Sequence, residues 1–188
     1  SASLVSTTAQ CNVMMGVSSG VTVTTGSCNV FVGHEAGNGI TTASGSVGVG
    51  RRAKTGTTGG ANNMVGNDTG PSITSGFYNN GFGSSVFPNL TTACNNIAIG
   101  HDAGQCTTTG SHNIMIGYKT NTSNTDTENT IIIGMGDGIN KFIADGDNRI
   151  KMGKRTANIN NNFGSDANWS HSSDARYKKN VQDNTIGL

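Results

Sequence analysis

The side chains best suited to chemistry are few, and they lie in two kinds of place. Near the C-terminal end, the stretch SSDARYKKNV, residues 172–181, gathers serine, aspartate, arginine and lysine side chains in an otherwise charge-poor chain. Elsewhere, His34 precedes Glu35 and His101 precedes Asp102. A histidine beside a carboxylate is part of a catalytic triad in some enzymes, but no nucleophile is placed near either pair. What these residues do therefore depends on the elements that position them.

The composition excludes several classes of protein. Of the 188 residues, 33% are hydrophobic and 12% are charged, and the net charge is +1. Disordered chains combine low hydrophobicity with high net charge, so the second criterion fails. A nearly neutral chain has no basic surface for nucleic acid or an anionic membrane, and no 18-residue apolar run predicts a membrane span. The start, SASLVSTTAQ, shows no secretion signal and suggests a fragment or a processed chain.

A repeat organises most of the sequence. A glycine preceded by an apolar residue recurs at a nearly constant interval, at Gly16, Gly33, Gly50, Gly66, Gly83, Gly100, Gly117 and Gly134. The consensus is N-Φ-x-Φ-G-x-x-[AT]-G-x(4)-[TS]-[TSA]-G, where Φ is apolar, as in NIAIGHDAG and NVFVGHEAG. A period of about 17 residues predicts an array of stacked units, each burying its apolar face against the next.

Each repeat predicts one coil of an all-β solenoid. The two Φ positions are two residues apart, so on a strand they share one face, and because most are β-branched we expect them to face the core. The glycine that follows fits a sharp turn with positive φ. The pairs Thr24–Thr25, Thr41–Thr42 and Thr108–Thr109 predict a second short strand. One register predicts a hydrogen-bonded amide ladder, formed by Asn12, Asn29, Asn62, Asn79, Asn96 and Asn113.

Such a coil is thin, and this predicts self-association. Two or three modest apolar side chains per coil offset little of the backbone entropy, roughly 1–2 kcal/mol for each residue ordered. Several chains that share one axial core would bury more surface. We therefore predict an obligate homotrimer, in which stacked coils about 4.8 Å apart form a rod on the order of 40 Å long.

The repeats in residues 12–134 resemble the head repeats of trimeric autotransporter adhesins, which are trimeric β-rolls, and similar repeats occur in fibres of tailed phages. The resemblance implies a trimeric β-roll fibre.

The C-terminal stretch resembles the start of the intramolecular chaperone domain of phage tailspikes, endosialidases and tail fibres. That domain begins with S-D-x-R-x-K-x-x-[IV], which Ser173, Asp174, Arg176, Lys178 and Val181 match. In that family the domain trimerises the fibre and then cleaves itself off at the Ser–Asp junction. The resemblance implies Ser173 as the nucleophile and Lys178 as its base, for this one self-cleavage only, and only if a full chaperone domain follows. The chain is otherwise predicted not to be an enzyme.

The segments predicted from these patterns are a lead-in (1–11), solenoid repeats (12–134), a β-hairpin cap or transition (135–153), an extended connector (154–172) and the start of the chaperone (173–188). In the hairpin, KFIA and RIKMG would pair around the turn DGDN, with Phe142, Ile150 and Met152 in a shared core. A calcium site at DGDN is the alternative to a plain turn.

Several residues leave alternatives open. Cys11 and Cys28 share a register within disulfide range, but we expect all four cysteines, including Cys94 and Cys106, to be free thiols, as in a reducing cytoplasm. His34 and His101 would form rings in a trimer, yet we expect them to point to solvent and predict no metal or other cofactor.

Two surface features are also open. Arg51, Arg52 and Lys54 form a basic spot that is either solvated or a contact for acidic glycans. In the fifth coil we expect Phe82 in the core, whereas Phe77, Tyr78 and Phe87 are either core residues or an exposed patch for receptor or glycan.

The function predicted from these features is a structural and host-adhesion segment of a viral tail fibre, located in the virion outside the cell. Its expected partners are copies of itself, other fibre or tail proteins, and a host receptor or glycan, without nucleic acid or membrane insertion. A bacterial surface adhesin head is the alternative. A glycan-degrading tailspike is disfavoured, because the coils lack a cluster of carboxylates.

Overall fold

The computed structural model describes residues 8–137, 139–164 and 170–171, which form a β-solenoid without helices. The strands are β1 (Val13–Met15), β2 (Val30–Val32), β3 (Val47–Val49), β4 (Asn63–Val65), β5 (Asn80–Phe82), β6 (Ile97–Ile99), β7 (Ile114–Ile116), β8 (Thr120–Thr122), β9 (Ile131–Met135), β10 (Phe142–Ala144), β11 (Arg149–Lys154), β12 (Ala157–Asn162) and β13 (Ser170–His171). This confirms the predicted fold class, a stack of short coils that repeat with the period of the sequence.

One parallel strand per coil builds the main sheet. β1 to β7 pair in sequence order, and the stack continues through β9 and β11. The register follows the repeat, so Val30 lies beside Val47, and Ile97 lies beside Ile114. Each strand is only three residues long up to β7, because the glycine that follows turns the chain out of the sheet.

The solenoid extends one coil beyond its predicted end. Ile150 of β11 pairs with Ile131 of β9, and Gly153 pairs with Gly134, so a slightly longer coil completes the stack. The hairpin predicted between KFIA and RIKMG does not form, although both segments are strands. β10 pairs in parallel with β8, and β11 forms its antiparallel hairpin with β12 instead. Both pairings cover strand edges that would otherwise be left open.

The threonine pairs are bends and not strands. The backbone N–H groups of Thr24, Thr25 and Gly26 all point to the carbonyl of Thr41, at 2.9, 3.3 and 3.3 Å. An extended strand cannot direct three consecutive N–H groups at one acceptor, since successive groups point to opposite sides. The prediction of a second strand at these pairs is therefore wrong.

The predicted asparagine ladder is present and buried. Asn96 donates from Nδ2 to the carbonyl of Gly110 (3.0 Å) and to Oδ1 of Asn79 (3.0 Å), while its own Oδ1 accepts from the backbone N–H of Asn113 (2.9 Å). Asn29, Asn62, Asn79 and Asn113 make equivalent contacts in their coils. The ladder satisfies backbone groups at the corner of each coil, where the main chain cannot pair with itself.

The interior holds the residue between the two Φ positions of each strand from β2 to β7 and of β9. Phe31, Met64, Met115 and Ile132 are fully buried there. The inward residues differ in size from coil to coil, and a Cβ on Gly48 would lie 3.0 Å from the ring of Phe31 in the coil below. Small residues beside large ones let a narrow coil pack densely.

The glycines that end β1 to β7 adopt the predicted conformation, whereas Gly134 lies within β9 and has no positive φ, so the prediction is wrong there. From Gly16 to Gly117, the seven have φ values between +122° and +138°. A Cβ on Gly100 would lie 2.7 Å from the carbonyl of Gly117. Close approach of neighbouring coils and positive φ therefore both require glycine.

Candidate functional site: the outward face of the sheet

The two apolar rows of each strand point away from the coil interior. In β2, Phe31 is buried, whereas Val30 and Val32 are only partly covered. The same pattern holds along the stack, so the prediction that the Φ positions face the core of the coil is wrong for the single chain. The middle residue and buried residues from the corners, such as Ala36 and Ile40, already fill that core.

We call the surface formed by these rows the outward face. Its first row is Val13, Val30, Val47, Asn63, Asn80, Ile97, Ile114, Ile131 and Ile150. Its second row is Met15, Val32, Val49, Val65, Phe82, Ile99, Ile116, Ile133 and Met152. Phe82 belongs to the second row and is 42% exposed, so its predicted place in the core is wrong; Phe87 is the buried phenylalanine of that coil.

The outward face is long, narrow and apolar. It crosses nine parallel strands, β1 to β7, β9 and β11. Met15 is 64% exposed and Ile99 is 40% exposed. Parallel sheets are normally covered on both sides, and large contiguous apolar patches on soluble proteins usually mark contact sites. The face therefore has the chemistry of an interface.

One polar step interrupts the apolar rows. Asn63 and Asn80 occupy neighbouring first-row positions, and Nδ2 of Asn63 donates to Oδ1 of Asn80 at 2.8 Å. Because this hydrogen bond partly satisfies both amides, burying the pair in an interface costs less free energy than burying an isolated amide.

The predicted basic spot is partly compensated by a carboxylate of the next coil. Arg51 lies 2.7 Å and Arg52 3.1 Å from the carboxylate of Asp68. The one shorter interval of the repeat places Asp68 above Arg52, so the coil register was the signal that would have found this partner. Burial lowers the pKa of Lys54 below its usual range. The two arginines are thus ion-paired, and the carboxylates offset only part of the positive charge of the spot.

The histidines lie on the surface, as predicted. His34 and His101 have side chains that are 53% and 54% exposed. Nδ1 of His101 is 3.2 Å from Asp102, and its ring stacks on Tyr118 at 5.8 Å. Within the described ranges, no group of three or more histidine, cysteine, aspartate or glutamate side chains is placed to hold a metal.

All four cysteines are free, in agreement with the expectation. Cys11 and Cys28 are exposed at equivalent corners of neighbouring coils. Lys141 donates from Nζ to Sγ of Cys106 at 3.0 Å, beside an open cleft of about 820 Å³.

The residues assigned to self-cleavage, Ser173, Asp174 and Lys178, lie outside the described residues. The self-cleavage hypothesis therefore stays a prediction.

Comparisons with known proteins gave no match, whether with models of protein families, with curated proteins or with solved structures. No helix that could cross a membrane occurs in the part of the chain that the structure describes. Among the described residues, the outward face is the feature that best indicates a function.

Proposed function

We propose that this chain is a segment of a homotrimeric viral tail fibre, a rigid rod that presents or forms a host-binding surface. The observation that supports the proposal is the outward face, an apolar stripe along a parallel sheet that the chain itself leaves uncovered. Burying such surface contributes roughly 25 cal/mol for each Å² removed from water.

The shape of the face is compatible with three chains around one axis. The strands up to β7 are three residues wide, about 10 Å, whereas the stack crosses nine strands. When narrow stripes from several chains meet around a common axis, each stripe is fully covered by the others. The closed rotational symmetry of such an assembly also prevents open-ended polymerisation. The similarity of the repeats to trimeric β-roll heads supports the same stoichiometry.

The viral setting rests on the similarity of the C-terminal stretch to a tail-fibre chaperone. A bacterial surface adhesin would use the same trimeric rod. The full-length protein distinguishes the two settings, since an adhesin head is followed by a coiled-coil stalk and a membrane anchor, whereas a tail fibre of this kind is followed by a chaperone domain.

The test is the mass of the purified chain in native buffer, measured by light scattering, together with gel mobility before and after boiling in detergent. We expect a trimer that resists detergent until it is boiled. A monomeric mass over the accessible concentration range contradicts the proposal.

A matched pair of variants locates the interface. Ile99→Asp places a carboxylate in the second row of the outward face, and we expect it to abolish the trimer. Thr109→Asp adds the same charge at an exposed bend away from that face, and we expect it to leave the mass unchanged. If Thr109→Asp dissociates the trimer and Ile99→Asp does not, another surface joins the chains.

A further inference from the structure

Two corner residues precede the ladder position of every coil, and in one coil both are aromatic. The first corner residue is Ser27, Ser44, Gly60, Phe77, Cys94, Ser111 or Glu128, and the second is Cys28, Gly45, Ala61, Tyr78, Asn95, His112 or Asn129. All second corner residues have φ between +54° and +67°. Most are small or asparagine, the residues that tolerate this conformation best.

Tyr78 stands in this left-handed position with φ of +58°. A bulky side chain is disfavoured there, and burial does not compensate, because Tyr78 is 57% exposed and Phe77 is 44% exposed. The two rings are held edge to face, with centroids 5.2 Å apart and planes at 85°. The fold thus holds an edge-to-face aromatic pair that is about half exposed to solvent.

An open notch lies beside the aromatic pair. It has a volume of about 410 Å³ and is lined by Thr42, Ser44, Thr58, Gly60, Ala61, Phe77 and Tyr78. The corners of the preceding coils carry only small side chains, which leaves one side of the rings uncovered. The lining contains hydroxyl groups and no charged side chain.

The backbone at the notch also offers hydrogen-bonding groups. At the other corners, the second residue donates its N–H to the first corner residue one coil earlier, as from Ala61 to Ser44 (2.8 Å) and from Asn95 to Phe77 (3.1 Å). Among the described corners, the equivalent bond from Tyr78 to Gly60 does not form. The N–H of Tyr78 and the carbonyl of Gly60 therefore remain available beside the rings.

We infer that the notch at Phe77 and Tyr78 binds a neutral pyranose unit of a glycan. An aromatic ring packs against the apolar C–H face of a sugar, and hydroxyl groups with a backbone donor and acceptor match the sugar's own hydroxyls. The uncharged lining favours a neutral sugar over an acidic one. This inference rests on the proposed adhesive function and names its ligand class.

The test is saturation-transfer NMR on the purified, intact chain with methyl glycosides of glucose, galactose and mannose, N-acetylglucosamine and one sialoside. We expect contact through the sugar's C–H groups for at least one neutral probe, with a dissociation constant on the order of 1–10 mM, as for a small ligand in an open site. No binding by any neutral probe up to about 50 mM overturns the inference.

The repeat supplies variants that other coils already tolerate. Tyr78→Asn and Phe77→Ser introduce the residues found at Asn95 and Ser111 in equivalent corners. We expect each to weaken binding at least tenfold, while Tyr118→Asn, which removes an exposed aromatic at a different corner, leaves it unchanged. An equal loss of sugar binding in all three variants overturns the inference. Binding of the sialoside alone that is unchanged in the three variants also overturns it.

The oligomeric mass separates this inference from the proposed function. A trimer that binds no sugar overturns the glycan site alone, and a monomer that binds sugar overturns the trimeric fibre alone. A fall in mass for Tyr78→Asn assigns the aromatic pair to a contact between chains and overturns the glycan site.

Discussion

The inward and outward sides of the same strands are both apolar, yet they are built differently. Inward positions vary in size from Gly48 and Ala98 to Met115 and Phe31, and each is fitted to its neighbours. Outward positions are nearly uniform, mostly valine and isoleucine, and remain partly exposed. Varied, complementary sizes indicate packing completed within one chain, whereas uniform rows suit contact with an identical surface.

The largest predicted effect contrasts adjacent residues on the two sides. Met115→Asp buries an unpaired carboxylate inside the coil, where Met115 is fully buried, and should lower the free energy of unfolding by about 4 kcal/mol or more. Ile116→Asp changes the outward face and should weaken association, so its melting temperature should depend more steeply on protein concentration than that of Met115→Asp. Thermal melts at two protein concentrations measure both. Identical melting curves for the two variants would remove the distinction between the sides.

An intermediate effect is expected in the asparagine ladder. Asn96→Ala leaves the N–H of Asn113 and the carbonyl of Gly110 without their side-chain partner inside the protein, at a cost of about 2–4 kcal/mol. Asn95→Ala, at the neighbouring exposed corner, removes an exposed contact between Nδ2 and Nε2 of His112 (3.3 Å) and adds strain at positive φ, together about 1 kcal/mol. Urea denaturation gives both values. A ladder variant no less stable than the corner variant would show that the amides add little to the inward side.

The smallest effect concerns the polar step of the outward face. The double variant Asn63→Val and Asn80→Val makes the first row uniformly apolar and should tighten association by about 1 kcal/mol. It should also permit chains to associate out of register, because a paired amide in an apolar interface fixes the alignment of the chains at some cost in stability. Sedimentation velocity should show a broadened distribution. Val47→Ile, which keeps the amides, is the control and should give a single sharp species. Weaker association of the double variant would indicate that the amides face solvent.

Features that depend only on the period of the repeat were predictable. Strand positions, the positive φ of glycines such as Gly100 and the amide ladder all follow from the repeat register. Which side of each strand faces the coil interior was not predictable. The β-branched residues of the outward rows are typical of a core, whereas inward residues such as Gly48 and Gly81 are not. Which strand residues are buried depends on the side chains that fill the narrow coil from its corners. One of these is Phe87, which no strand pattern identifies.

The last coil and the candidate sites show two further limits. RIKMG fits the Φ-x-Φ-G pattern, but its interval from the preceding strand is longer than the period of the repeat, so the period did not predict it as a further coil. The aromatic pair was recognised as a candidate patch, yet its left-handed backbone and the notch beside it appear only when equivalent corners of neighbouring coils are compared. Self-association was predicted from the thin core, but the surface proposed to mediate it could be identified only in the structure.

The parallel register also determines how the segment would respond to a pull. Hydrogen bonds between coils run along the stack, so tension between the chain ends loads the terminal coil first and peels coils off in sequence. Each released coil gives about 55 Å of slack while shortening the stack by about 4.8 Å. A single chain would therefore lengthen stepwise under load, by one coil at a time. Clamping several chains along their outward faces would lock these steps together and make the segment stiff.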